Sequence, residues 1–271
     1  MNADRDLVDS GTEGLVARRE GAVGWIVLNN PSRHNALSLA MYLAIERVVA
    51  AFEADPAVRV VVVTGAGERA FASGADISEF EEKRATAAQI AEYDGLSERA
   101  AAALERAAKP TIAMIRGYCI GGGLDLALRT DLRIASRNAR FAVPAVRLGL
   151  GYAFDDIKRL VDIVGPASAK EILYTGRQFD ADEALAMGLV HRVVQPAELA
   201  ERVGALADSL AANAPLTVLA MKRCIAAAVA DPGKRDLAAV EGLVTACFES
   251  ADYAEGRRAF MEKRQPVFRG R

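Results

Sequence analysis

Apolar residues along the chain switch between two spacings, and the switches mark out its elements. Residues 14–19 and 23–28 are short apolar runs joined around Glu20-Gly21, the pattern of a β-hairpin. Beyond Ser38, a helix-capping residue, Tyr42, Ile45, Val49 and Phe52 recur at helical spacing until Asp55-Pro56 stops the pattern. Residues 58–64 are β-branched except for Arg59, so they predict a strand covered on both faces. A loop is expected over 71–80, then an alanine-rich, charged stretch over 81–108 that favours helix by propensity but has a weak apolar face. Residues 110–115 predict another buried strand, Gly121-Gly-Gly123 opens a helix running to Thr130, and 132–135 is a further strand. Strands alternating with helices indicate an α/β layout. From Pro196 onward the pattern is almost wholly helical, with breaks at Ala214-Pro215 and Asp231-Pro-Gly233. The chain therefore divides into an α/β core, 1–195, and a helical tail, 196–271. The tail's stripes (Leu206 and Leu210; Val218, Met221 and Ile225) need cover, from the core or from a neighbouring subunit. Residues 1–12 are polar and expected to be mobile.

Composition narrows the function classes. A net charge of 34 − 36 = −2 provides no basic field for nucleic acid or an anionic membrane. No apolar run approaches the roughly 20 residues of a membrane helix, and the polar, acidic start resembles no signal peptide. Cys119, Cys224 and Cys247 are few, odd in number and widely spaced, which argues for a reducing, cytoplasmic setting. No Cys, His and Asp cluster has metal-ligand spacing, so no metal is expected. His191 and Trp25 read as structural, Cys119 as a small buried hydrophobe, and the charged 79–84 stretch as a solvated face.

Two glycine-containing loops carry the candidate chemistry. Phe71-Ala-Ser-Gly-Ala-Asp-Ile77 follows a buried strand and a turn, and Gly117-Tyr-Cys-Ile-Gly-Gly-Gly-Leu-Asp-Leu126 follows another and leads into a helix. Glycine lets backbone approach a ligand closely, and the first N–H groups of a helix lack internal partners. Two such loops can aim two backbone donors at one oxygen, which is an oxyanion hole. The triple glycine lacks the spacing of a dinucleotide fingerprint.

Taken together, these loops resemble the crotonase superfamily, the enoyl-CoA hydratase/isomerase family. The likeness also rests on Leu28-Asn-Asn-Pro31, Asn35-Ala-Leu37, Val62-Val-Thr-Gly65 and Lys109-Pro-Thr-Ile-Ala113. It continues through Phe141, Leu148-Gly149, Glu183-Ala-Leu-Ala-Met-Gly-Leu-Val190 and Phe260-Met-Glu-Lys-Arg-Gln-Pro-Val-Phe268. It runs in order from about residue 13 to the end.

The resemblance implies a spiral of ββα units whose helical tail assembles trimers or dimers of trimers. It implies an acyl-CoA substrate, with CoA carried by the substrate and no separate cofactor. The thioester oxygen is expected between the N–H groups of Ala75 and Gly122. CoA is expected to run past Arg33, His34 and Ala36 and along the loop holding Ala72, Gly74, Asp76 and Ile77. Gly121 and Ala145 are expected beside the acyl group, and Phe260 and Lys263 at the CoA of an adjacent subunit. RNA binding, known for a few members through a lysine-rich helix, is not expected, because the cations of 83–109 are scattered among acids.

The chain departs from the family pattern at its acids. Hydratases of this family resemble one another in two glutamates flanking a water; here the first position holds Asp125 and the second Ala145. Adding water requires a base for the water and an acid for the α-carbon, and alanine supplies neither. An aspartate at the first position resembles the dienoyl-CoA isomerase branch. Asp125 is the expected catalytic carboxyl, with Arg129 a helical ion-pair partner as the structural alternative. Tyr152 resembles a tyrosine of the methylmalonyl-CoA decarboxylase-like branch and is the expected proton donor or carboxylate-orienting group. Asp155 and Asp156 read as helix N-caps, with Asp155 a candidate replacement for the missing acid, and Arg147 as a surface ion pair or a carboxylate-binding group. The readings left open are hydration, double-bond isomerisation, decarboxylation, and a non-catalytic acyl-CoA binder.

Overall fold

The computed structural model describes residues 5–271. Its strands are β1 (Arg5–Val8), β2 (Leu15–Glu20), β3 (Val23–Leu28), β4 (Val60–Gly65), β5 (Ala70–Ala72), β6 (Thr111–Ile115), β7 (Tyr118–Ile120), β8 (Leu132–Ser136), β9 (Arg140–Ala142), β10 (Phe179–Asp180) and β11 (Arg192–Val194). Its helices are α1 (Leu39–Ala54), α2 (Phe80–Lys83), α3 (Ala87–Arg106), α4 (Gly122–Leu128), α5 (Ala145–Leu148), α6 (Phe154–Thr175), α7 (Ala181–Ala186), α8 (Leu199–Ala211), α9 (Pro215–Val229), α10 (Leu237–Glu249) and α11 (Ala251–Met261).

Two sheets form the frame. The larger runs β1-β2-β3-β4-β6-β8-β11 and the smaller β10-β9-β7-β5. The chain lays one strand in each sheet (β4 then β5, β6 then β7, β8 then β9) before helices carry it back, which is the expected spiral of ββα turns. Pairing from β3 through β11 in the large sheet is parallel, while β1, β2 and β3 form an antiparallel meander. Val60–Val63 are all buried, as the β-branched run predicts. Ser38 caps α1 by accepting the Met41 N–H, and Ile45, Val49 and Phe52 fill the core beneath it.

Several elements differ from the sequence reading. Residues 5–8 pair with β2 as an edge strand, where a mobile tail is expected; residues 1–4 lie outside the described residues. The two glycine loops each begin with a three-residue strand, β5 and β7, too short to register as periodicity. The 81–108 stretch is two helices, because Thr86 and Gln89 form a capping box that restarts it. Ser250 ends α10 and caps α11, a break the apolar pattern does not show.

The boundary after residue 195 falls just before α8, whose Leu199, Val203 and Ala207 pack on Val60, Val62, Ile112 and Ile134 of the large sheet. Leu206 and Leu210 join that contact, so one of the tail stripes is covered by the chain's own core. Met221 and Ile225 of α9 stay exposed, as do Leu237, Phe248, Phe260 and Met261 further on.

Helix α4 rests directly on β5 through Gly123. A Cβ at that position would stand 2.4 Å from the Ala72 carbonyl oxygen and 2.7 Å from the Ala72 Cβ. Gly123→Ala is therefore expected to destabilise the fold by about 1–3 kcal/mol, the usual cost of overpacking. Urea denaturation checks it, and an unchanged midpoint would contradict this packing.

Candidate active site

The parallel pairing of β5 with β7 (Ala70↔Tyr118, Ala72↔Cys119) brings both strands to an end at the same edge of the small sheet. The two glycine loops therefore emerge side by side. Gly74-Ala75 is pinned from one flank by Leu37, whose N–H donates to the Gly74 carbonyl at 2.8 Å and whose carbonyl accepts from Asp76 N–H at 2.9 Å. Peptide groups alternate direction along extended backbone, so the intervening Ala75 N–H faces the opposite flank, toward α4. Gly122 is the first residue of α4, where helix geometry leaves the N–H without an internal acceptor. Among the described residues, neither of these two N–H groups has a hydrogen-bond partner. They are close: a Cβ placed on Gly122 would lie 3.6 Å from the Ala75 nitrogen.

A cleft of about 550 Å³ opens in front of these loops. Gly74, Ala75, Ile77, Gly121, Gly122, Asp125, Ala145 and Tyr152 line it, so the sequence-predicted acyl site is brought together in one place. Asp125 lies in the first turn of α4, one oxygen 3.3 Å from Arg129 Nε and the other 3.2 Å from Arg159 Nη1. The expected i+4 ion pair with Arg129 is thus present, and the same carboxyl also borders the cleft. Burial pushes its pKa up to about 6, against the pull of Arg129; Asp156 and Glu98 add to the rise and Arg159 opposes it. Tyr152 has no hydrogen-bond partner among the described residues. Burial, then Asp125 and Asp156, push its pKa above the ordinary phenol range, so it is a neutral donor.

Arg129 organises the surrounding charge. Its side chain is 1% exposed and also meets Glu98, Glu105 at 3.4 Å and Asp156 at 2.9 Å. Arg159 contacts Glu105 at 2.9 Å and Asp156 at 3.2 Å. The sequence reading of Asp155 and Asp156 as helix N-caps is not met: Ala153 holds the N-cap position of α6 without a side-chain bond, and both acids sit in the first turn that follows. Arg147 does not line the cleft; it reaches the Thr175 carbonyl at 3.4 Å. The 79–84 stretch is not simply a solvated face, since Phe80 and Arg84 line the cleft, Arg84 lying 4.7 Å over the Phe80 ring and 5.1 Å over Tyr93.

Of the expected CoA residues, Gly74 and Ile77 line the cleft, while Arg33, His34, Ala36, Ala72 and Asp76 do not. Arg33 binds Asp76 at 2.9 Å. Burial disfavours that carboxylate, but hydrogen bonds from Ser78 and Arg33 outweigh it and hold its pKa below the ordinary range. His34 adopts φ 53° and meets the Tyr118 ring edge-on at 5.8 Å. Ala36 and Ala72 are buried behind this surface. Asn35 fixes the loop: its amide donates to the carbonyls of Ala66 at 3.0 Å and Ala70 at 2.8 Å, and its oxygen accepts the Asn30 N–H. Phe260, 82% exposed, and Lys263 at the end of α11 do not line the cleft of their own chain. His191 is structural, its Nδ1 accepting the Arg133 N–H at 3.1 Å.

Sequence reasoning missed Tyr42, Tyr93, Glu98 and Arg159. Tyr42 sits in the apolar stripe of α1 and looks like core. The others come from α3 and α6, remote in sequence and without motif spacing.

Two sheets wound by ββα turns around such a cleft are the crotonase fold. Residues 18–271 match the family described as Enoyl-CoA hydratase/isomerase. The chain is 35% identical over 256 residues to the crotonyl-CoA hydratase of Syntrophomonas wolfei, covering 94% of this chain and 98% of that protein. It is 35% identical over 266 residues to the carnitinyl-CoA dehydratase of Escherichia coli, covering 96% of this chain and all of that protein. The crystal structure of an enoyl-CoA hydratase/carnithine racemase from Magnetospirillum magneticum superposes with a TM-score of 0.90 at 38% identity, covering 96% of this chain and 97% of that one. The chain belongs to the enoyl-CoA hydratase/isomerase family and has the acyl-CoA-processing architecture of that family.

Proposed function

We propose that the cleft binds an acyl-CoA thioester with its carbonyl oxygen between the Ala75 and Gly122 amides, and that Asp125 moves the proton when the enolate forms. The observation that carries this reading is the pair of partnerless amides beside a carboxyl whose pKa is about 6. Developing negative charge on the thioester oxygen is what such donors stabilise, and a carboxyl with that pKa is half-poised to accept a proton near neutrality.

One acid is enough to shuttle a proton from one carbon to another, which is double-bond isomerisation. Rapid hydration needs a second group, and Ala145 supplies none. We therefore assign isomerisation as the better-supported reaction, with hydration slow and assisted by Tyr152 or Asp156. Decarboxylation fits less well. Asp94, Glu98, Asp125, Asp155 and Asp156 line the cleft, and Arg84, Arg129 and Arg159 are already engaged by these acids, a poor setting for an acyl group bearing its own carboxylate. A panel of enoyl-, dienoyl- and malonyl-type CoA thioesters, followed by mass spectrometry and NMR, tests the assignment. Unchanged mass with a shifted double bond supports isomerisation, a gained water supports hydration, and lost carbon dioxide would overturn both.

The missing acid gives a gain-of-function test. Ala145 lines the cleft at the first position of α5. Ala145→Glu is expected to raise the rate of crotonyl-CoA hydration by about tenfold or more, since a positioned acid or base contributes roughly 10²–10⁴. A wild-type rate already equal to that of a two-glutamate relative would refute this reading of Ala145.

The exposed apolar residues of α9, α10 and α11 support assembly through the tail. A trimer or dimer of trimers is the expected state by light scattering at micromolar concentration, with Phe260 and Lys263 reaching a neighbour's CoA. A monomer would rule this out.

A further inference from the structure

Gly122 leaves one point in the cleft empty, and a third donor stands at that point. A Cβ on Gly122 would lie 2.9 Å from Tyr42 Oη, closer than its 3.6 Å to the Ala75 nitrogen. The two partnerless amides and the phenol thus surround the same small volume. Tyr42 itself is 6% exposed, lines the cleft, and its hydroxyl has no hydrogen-bond partner among the described residues. Unlike the Tyr93 hydroxyl, it is not sealed among protein atoms, so it can bond to water or to a ligand in the cleft. Resting on the reading that the thioester oxygen lies between Ala75 and Gly122, the geometry points to the Tyr42 hydroxyl as a third donor to that oxygen, making Tyr42 a catalytic residue.

The chemistry suits the role. Burial, followed by the neighbouring Tyr93 and Asp125, pushes the Tyr42 phenol above its ordinary range, so it keeps its proton at any working pH. A neutral O–H aimed at an oxygen that gains charge forms a charge-assisted hydrogen bond, stronger in the transition state than with the neutral thioester. The ring is fixed by α1 on one side and by edge contact with Tyr93 at 6.4 Å on the other, so little ordering remains when substrate enters. The enolate's proton still goes to and from Asp125; Tyr42 shares charge and transfers nothing.

The test uses Tyr42→Phe in the full chain, with a conjugated dienoyl-CoA as the optical probe. Polarising the thioester carbonyl shifts the bound probe's absorption to the red. Wild type is expected to show the shift. Tyr42→Phe should bind the probe within about fivefold of wild type, show a smaller shift, and lose about 10- to 100-fold in kcat with little change in KM. Val49→Ala serves as the comparison for packing, because Val49 is a buried residue of the same helix α1 and does not line the cleft; its shift should match wild type. An undiminished shift and kcat in Tyr42→Phe overturn the third donor while leaving the two amides standing. An equal loss in Val49→Ala also overturns it, by marking a packing effect. A tightly bound probe with no shift in wild type overturns the oxyanion reading and this inference together.

Discussion

Gly122→Ala is expected to abolish turnover, by about 10³-fold or more in kcat, with only a small loss of stability. The added methyl would occupy the space in which the Ala75 amide, the Gly122 amide and the Tyr42 hydroxyl meet, 2.9 Å from the phenol and 3.6 Å from the Ala75 nitrogen. An oxygen excluded from that space loses all its donors at once, and each backbone donor of an oxyanion hole contributes roughly 10²–10³. Stability should fall far less than activity, because the clash is with the far end of the Tyr42 side chain, which can shift at a cost of about 1 kcal/mol. Steady-state kinetics beside thermal denaturation separates the two. Full activity in a folded Gly122→Ala protein would mean that the thioester oxygen binds elsewhere.

Asp125→Asn is expected to lower kcat by about 10²–10⁴, the usual contribution of a positioned acid or base, with substrate affinity largely kept. The wild-type pH profile carries the sign. The base form is the carboxylate and its pKa stands near about 6, so kcat should rise through that region as pH increases and level off above it. Asparagine cannot titrate, so the variant's residual rate should be flat across the same interval. A wild-type limb displaced to the ordinary carboxylate range would show that the burial and the neighbouring acids acting on Asp125 do not govern the reacting state.

The frame of the molecule is legible in the sequence where burial is two-sided. Val60–Val63 could only be a covered strand, and the stripe through Ile45, Val49 and Phe52 could only be a helix facing that sheet. The donor loops are legible through their glycines, which are required by close backbone approach and not by composition. What escapes is everything that depends on strands too short to show a period: β5 and β7 determine the neighbour relation of Ala75 and Gly122, yet each is only three residues long. The electrostatic half of the site escapes for a different reason. Glu98 on α3, Asp125 on α4 with Arg129 at its C-cap, and Asp156 and Arg159 on α6 meet only in three dimensions, and charged residues on helices ordinarily face solvent. Tyr42 shows the converse error: a polar atom on an apolar stripe passes for core until its hydroxyl is found without a partner.

The buried guanidinium of Arg129 makes the proton affinity of Asp125 a gauge of whether distant helices are seated. Glu98 and Glu105 arrive on α3, and Asp156 and Arg159 on α6, while the two donor amides belong to loops that the small sheet already holds. Lifting α3 away would remove the charge of Glu98 and admit water to Asp125, and both changes move its titration down toward that of a free carboxylate. On the proposed reading the Ala75 and Gly122 amides would keep their places in such a motion, while Tyr42 would lose its Tyr93 support and Asp125 its tuning. On that reading the groups proposed to hold the substrate and the carboxyl proposed to transform it rest on different parts of the chain, and only the carboxyl depends on both α3 and α6 being seated.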